Sequence, residues 1–313
     1  MKLRFSIAIA ISMALGCGFL GDARAAIITA LTSTNSLVTI NSAAPGTNIT
    51  TVGVTGLTAG DVLVGIDYRP LDSSLIGLGY NAAAGTARVY SITSGGVATS
   101  INANTLNIGL NLNRVTADFN PTANALRIVT SATAGNNLRI PTGGTGALVT
   151  TDADLNAANT GIRATAYSRN NAGGGTSGAT TLYEIDGTNN SLVTQGSIDF
   201  FTGSGTSPNT GTLTAVAGLT GVVGSNVVGF EIESLPGTAA ASPGNAFLAT
   251  NSGLFSLNLS TGAATSLGNF FTGTTVLDIT AVPEPGSIAL CGLAMTGLAF
   301  RFRRRLILKS LAQ

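Results

Sequence analysis

The chain has 313 residues and is nearly free of charge, with 15 Lys and Arg against 14 Asp and Glu, 44% hydrophobic residues, 41 glycines, two cysteines and no histidine or tryptophan. Without histidine a Ser-His-Asp triad is excluded, and zinc, copper or iron sites, which rely on His or Cys, are disfavoured. The length accommodates one large or two small domains, and so little charge argues against a disordered chain.

Residues 1–25 read as a cleaved leader. Lys2 and Arg4 form a basic start, residues 5–20 an apolar run, and Ala23 and Ala25 flank Arg24 in the small-x-small pattern of a cleavage site. The polar sequence beyond favours removal over retention as an anchor. Cys17 hints weakly at lipidation, but the position three before it is Ala14 where a larger aliphatic is expected.

Residues 26–282 form the body. Short alternating runs rich in Val, Ile, Leu and Thr, separated by Gly, Asn, Ser and Ala, predict an all-β domain without an amphipathic helix. One hairpin-like element recurs: "LVTINSAAPGTNITTVG" from Leu37, "VYSITSGGVATSI" from Val89, "LRIPTGGTGALVT" from Leu138, "LYEIDGTNNSLVTQG" from Leu182 and "LFSLNLSTGAATSLG" from Leu254. A second precedes most of them, as "VGIDYRPLDSSLIGLGY" from Val64 and "VTADFNPTANALRIVTS" from Val115, with looser copies at Arg163, Val228 and Val276. Taking Tyr68, Phe119, Tyr167, Ile232 and Ile279 as equivalent gives steps of 51, 48, 65 and 47 residues, near the period of four-stranded propeller blades. The expected fold is therefore β-propeller-like with about five blades, a sandwich or solenoid being the alternative. The long step is assigned to an extra Gly/Thr-rich segment at 200–226, and the third repeat reads as one strand short. The C-terminal repeat stops after "VLDITAV", while the N-terminal end supplies "ALTSTNS", "SLVTIN" and "ITTVGVT". The two ends are expected to complete one blade, since an open array would expose two strand edges.

Residues 283–313 form the tail. Pro283, Glu284 and Pro285 precede an apolar stretch at 286–300 and the cluster Arg301, Arg303, Arg304 and Arg305. Fifteen residues are short for a bilayer span, and the arginines would hold that end on the cytoplasmic side. This order resembles the PEP-CTERM signal of Gram-negative bacteria, although residues 306–313 extend past the usual end. The resemblance implies recognition by an exosortase during export, a short transmembrane helix with transient inner-membrane contact, and a cell-surface or extracellular, matrix-like destination. In the body, "LVGIDYRP…LIGLG", "ADFNP…LRIVTS…NLRI" and "TLYEID" resemble a domain-of-unknown-function family, number 4394, of exported bacterial proteins. That resemblance implies a propeller-like domain with no established activity.

With both ends removed, seven arginines face twelve acids, a net charge of −5, and no Cys, Lys, His or Trp remains. Attraction to nucleic acid is disfavoured. The commonest general base, the best nucleophile and the Schiff-base amine are all missing; a carboxylate pair, as in glycoside hydrolysis, stays open. "DADLN" at Asp152, Asp154 and Asn156 resembles the start of a calcium loop, but Ala157 and Arg163 stand where Gly and Glu are needed, so an exposed turn is the better reading. The residue before each landmark is Asp67, Asp118, Glu231 and Asp278 in four repeats and Ala166 in the third. Around an axis such acids offer a Ca²⁺ site; the favoured reading is that each accepts hydrogen bonds within its own turn. No catalytic residue, resident metal or cofactor is expected. The functional expectation is an exported, exosortase-sorted scaffold. The alternatives are a propeller binding a glycan such as exopolysaccharide, or a surface protein, and a carboxylate-dependent polysaccharide hydrolase or lyase.

Overall fold

Alternation of apolar and polar residues produces twenty-one β-strands and no α-helix among the described residues of a computed structural model. These are residues 25–282 without 103–104, 142–149, 157–160, 171–179, 201–204, 234–244 and 272. The leader up to Arg24, the sorting residues from Pro283 onward and the apolar helix expected among them lie outside this set. No helix among the described residues is long and apolar enough to cross a membrane.

The strands form five antiparallel sheets arranged as blades. The second blade holds β4 (Val62–Arg69), β5 (Ser74–Asn81), β6 (Thr86–Ile92) and β7 (Ala98–Ser100), with β8 (Leu106–Asn107) also paired to β6. The third holds β9 (Val115–Asn120), β10 (Ala125–Thr130), β11 (Asn137–Ile140) and β12 (Thr150–Thr151). The fourth holds β13 (Ile162–Tyr167), β14 (Thr180–Asp186), β15 (Ser191–Phe200) and β16 (Leu213–Gly218). The fifth holds β17 (Val227–Glu233), β18 (Asn245–Thr250), β19 (Gly253–Leu257) and β20 (Ala264–Asn269). The first blade joins both ends of the body: β21 (Val276–Ala281), then β1 (Ile27–Thr32), β2 (Ser36–Asn41) and β3 (Ala44–Gly53). β21 lies antiparallel to β1 with Ala30 opposite Ile279. The expected closure is present, and it removes the open edges that strand pairing would otherwise expose.

The third repeat differs from the sequence reading. Its blade, the fourth in the ring, is complete, and the segment read as an insertion contains its outermost strand, β16. The hairpin from Leu182 is β14–β15, the second and third strands, whereas the other four recurring hairpins are third and fourth strands. The outer pair β15–β16 escaped notice because no tight turn joins it; a long connection with a 3-10 turn at Pro208–Thr210 does.

Tight hairpin turns place Asn35, Ser73, Asn124 and Asn190 in the left-handed region, which Asn tolerates better than most residues. Apolar side chains fill the gaps between blades. Ile76, Val89, Phe119 and Ile128 pack between the second and third blades, and Leu63, Leu31, Tyr90 and Ile92 between the first and second. Comparable cores lie between the fourth and fifth and between the fifth and first. The interface of third and fourth blades has only Val129, Leu155, Ile162 and Val193 at its apolar centre. Beside them sits the fully buried Arg127, donating to Asn137 Oδ1 (2.6 Å), Asp152 Oδ2 (2.6 Å) and Asn209 Oδ1 (2.7 Å). Asp152 also pairs with Arg139, and Asp154 Oδ1 accepts from Gly135 N. The "DADLN" segment is exposed at Ala153, Asp154 and Asn156, as expected of a turn, but Asp152 supplies the counter-charge for Arg127 and Arg139 of its own blade. Ala153 N and Asn156 N bond the carbonyls of Asn209 and Gly211 in the fourth.

The closure sets the first expectation. Ile279→Ala, at a fully enclosed site of β21, should cost about 2–5 kcal/mol, measured by urea denaturation. Ser266→Ala on exposed β20 should change stability by less than about 0.5 kcal/mol. Equal small effects would contradict a closing role for β21.

Candidate functional site

The innermost strand of each blade has one edge paired within its sheet and the other facing the axis. β4, β9, β13, β17 and β21 therefore stand side by side around it, each packed against the next. Their inward N–H groups need acceptors, since an unpaired buried donor is costly. Side chains of the preceding strand supply them. Asp67 Oδ2 accepts from Phe119 N (2.8 Å), and Asp118 Oδ1 from Tyr167 N (2.9 Å). Thr116 Oγ1 accepts from Thr165 N (3.2 Å) in the same manner.

At the closing step the same two levels recur with their residue types exchanged. Thr280 and not Asp278 is thus the counterpart of Asp67 and Asp118, and the landmark of the last repeat is Ala281 rather than the expected Ile279. Asp278 Oδ2 accepts from Ile66 N (2.9 Å), and Tyr68 N is met instead by Thr280 Oγ1 (3.4 Å). Thr280 then donates to Asp67 Oδ1 (3.1 Å). Between β13 and β17, where Ala166 breaks the acidic series, Arg114 takes over. Its guanidinium reaches from the start of β9 to the carbonyls of Arg163 and Val228. Gly229 is required by the approach of β17 to β21, because a Cβ there would lie 2.8 Å from Ile279 N and 3.0 Å from Asp278 Oδ1.

These partners overturn the expectation that each acid serves its own turn. That role belongs to other residues: Asn120 Oδ1 accepts from Thr122 N, Asp186 Oδ1 from Thr188 N and Asn258 Oδ1 from Ser260 N. The axial acids bind the adjacent blade, 49, 52 or 212 residues away. The four do not form a symmetric ring either. Carboxyl oxygens of Asp67, Asp118 and Glu231 lie within 4.8 Å of one another. Asp278 stands two residues away, at the level of Thr116, and answers to the charge of Arg114. Sequence alone groups Asp278 with the other acids because it precedes Ile279 as Asp67 precedes Tyr68.

All four acids are buried, and burial dominates their protonation. It pushes Asp67 and Asp278 up to about 7, against the opposing pull of their backbone hydrogen bonds. Asp118 and Glu231 rise well above the ordinary carboxyl range through burial, reinforced by the neighbouring acids. Burial lowers Arg114 to about 10, although Asp278 favours its charge. Three acids this close hold protons between them, so the cluster is a set of largely neutral hydrogen-bonding groups near neutral pH. As metal donors the carboxyls suit a hard cation by type, but Ca²⁺ takes six to eight oxygens. Both oxygens of Asp67 and one of Asp118 already accept hydrogen bonds.

A second buried acid was not singled out from sequence. Glu184 on β14 is fully buried, and neither carboxyl oxygen has a hydrogen-bond partner among the described residues. Burial raises it to about 8, opposed by the charge of Arg127. Its alternation within "TLYEID" reads as an ordinary outward-facing position, and only the polar interface of third and fourth blades explains it.

Two expectations follow from this chemistry. The folded protein keeps protons that the unfolded chain releases above about pH 4, so stability is full in mild acid and falls as pH rises through about 7. Urea midpoints should decline between pH 5 and pH 8; a rise would contradict the cluster. Asp118→Asn keeps an acceptor for Tyr167 N and removes one titrating carboxyl beside Asp67 and Glu231, so it should flatten that decline. Asp118→Ala, which orphans the N–H, should cost about 1–3 kcal/mol at either pH.

Two family models match the chain. The family model described as Domain of unknown function (DUF4394) matches residues 36–280, and the PEP-CTERM protein-sorting motif matches 281–305. No curated protein matches the chain. Among solved structures, the chain is similar to one in a nidogen/laminin complex, with 11% identity, TM-score 0.43, and coverage of 82% of this chain and 98% of that one. A putative 6-phosphogluconolactonase from Bacteroides uniformis aligns at 14% identity and TM-score 0.38, over 84% and 72% of the two chains. A gluconolactonase from Xanthomonas campestris aligns at 12% and 0.39, over 81% and 79%. The chain belongs to the Domain of unknown function (DUF4394) family and carries a PEP-CTERM sorting motif directly after its last propeller strand.

Proposed function

We propose that this exported, exosortase-sorted propeller is a non-catalytic scaffold of the cell surface or extracellular matrix. The observation that carries the reading is the sorting motif at 281–305, which begins on the final residue of β21. The exosortase acts on a tail that follows directly on the strand closing the ring. The acids of the body support a structural role. Those that approach one another are enclosed on the axis and engaged with neighbouring strands, whereas glycoside hydrolysis needs two carboxyls flanking an accessible bond. The axial acids serve as neutral acceptors and hold no resident Ca²⁺.

Two measurements test the proposal. The intact mass of the protein from a host with an exosortase should lack the apolar segment at 286–300, and Glu284→Ala should leave it uncleaved; wild-type product that retains 286–313 would contradict the sorting step. Removal of Ca²⁺ with a chelator, then its return in millimolar excess, should leave the melting temperature unchanged. A Ca²⁺-dependent rise would reveal a cation bound by the folded state alone.

A further inference from the structure

A cleft of about 470 Å³ opens between the first and second blades, within the size range of small-molecule sites. Its floor is the buried set Thr29, Leu37, Leu75 and Ile92, and Tyr68 forms part of the wall. Its exposed rim carries Thr50, Ser73, Thr93 and Ser94. We propose that this cleft binds an uncharged carbohydrate unit, held by the rim hydroxyls over the aliphatic floor. The inference goes beyond sorting and scaffolding and does not depend on either.

The lining selects the ligand class. No Asp, Glu, Lys or Arg lines the cleft, and the nearest charges on the β4–β5 turn, Arg69 and Asp72, neutralise each other in an ion pair. A nucleotide, an amino acid or a uronate would lose its hydration without gaining a counter-charge. A wholly apolar ligand would strip water from the hydroxyls and return no hydrogen bond. A sugar ring offers hydroxyls at its edge and C–H groups on its faces, which matches a hydroxyl rim above Leu37, Leu75 and Ile92.

The hydroxyls are available for that purpose. Those of Thr39, Thr50, Ser73 and Ser94, all lining the cleft, make no hydrogen bond among the described residues. Thr93 Oγ1 accepts from Val97 N (3.1 Å) and keeps its proton to donate. Ser73 adds a departure from the local rule. The equivalent turn of the third blade, between β9 and β10, carries Asn124, but here a serine adopts φ 56° and places a hydroxyl at the cleft. Asn suits that backbone better than Ser, so the turn forgoes its best residue where the cleft gains a donor and acceptor.

The test uses the processed chain purified after export, probed on an array of neutral and acidic oligosaccharides and then by calorimetry with the best neutral binder. Ser94→Trp, on an exposed turn, should block the mouth and weaken binding at least about tenfold, a difference of about 1.4 kcal/mol, with the melting temperature unchanged. Thr39→Val should weaken it several-fold. Binding of neutral members that both variants impair supports the site. Binding of acidic members only, of no member, or equally by Ser94→Trp overturns it.

Discussion

Inward-facing N–H groups of five inner strands must find acceptors in a space too narrow for another strand. Ordinary sheet pairing cannot supply them, because each inner strand already uses its other edge within its own blade. The chain answers with short side chains that reach sideways to the next strand: Asp67 to Phe119, Asp118 to Tyr167, Asp278 to Ile66, Thr116 to Thr165 and Thr280 to Tyr68. These bonds tie blades that are distant in sequence into one ring. They also bring carboxyls together where water is excluded, which raises their proton affinity. Structural need and unusual acidity thus have one cause.

The same logic explains the unequal blade interfaces. Four are filled by aliphatic and aromatic side chains, whereas the third and fourth blades meet around Arg127, Asn137, Asp152 and Gln195. Gln195 donates to Asn137 Oδ1 (3.0 Å) and thereby links the two sheets at a point where little apolar surface is available. A buried guanidinium is tolerable because four acceptors surround it, the Tyr167 hydroxyl (3.4 Å) among them, and removing its acidic partner would leave a charge without compensation. Directional bonds rather than apolar area define the angle between these two blades.

Much of this architecture was legible in the sequence because propeller blades repeat their chemistry. The landmarks Tyr68, Phe119, Tyr167, Ile232 and Ile279 identified five inner strands, and the truncated repeats at either end identified the shared blade. The acids before four landmarks were legible as a set, but their partners were not. A bond from Asp67 to Phe119 spans two blades, and only the radius of the ring decides whether a carboxyl reaches its own turn or the next strand. The two-residue offset of Asp278 from the other acids and the role of Arg114 were hidden for the same reason. The outer strand β16 was missed because its hairpin lacks a tight turn, and Arg127 because a lone arginine in a strand reads as solvent-facing until its neighbours are known.

The central claim is that axial carboxyls hold adjacent blades through single backbone N–H groups. Native-state hydrogen exchange of the Phe119 and Tyr167 amides, in the wild type and in Asp67→Ala, tests it most directly. The account expects Phe119 protection to fall sharply in the variant while Tyr167, still bound to Asp118, keeps its own. Unchanged protection at Phe119, or an equal loss at both amides, would contradict it.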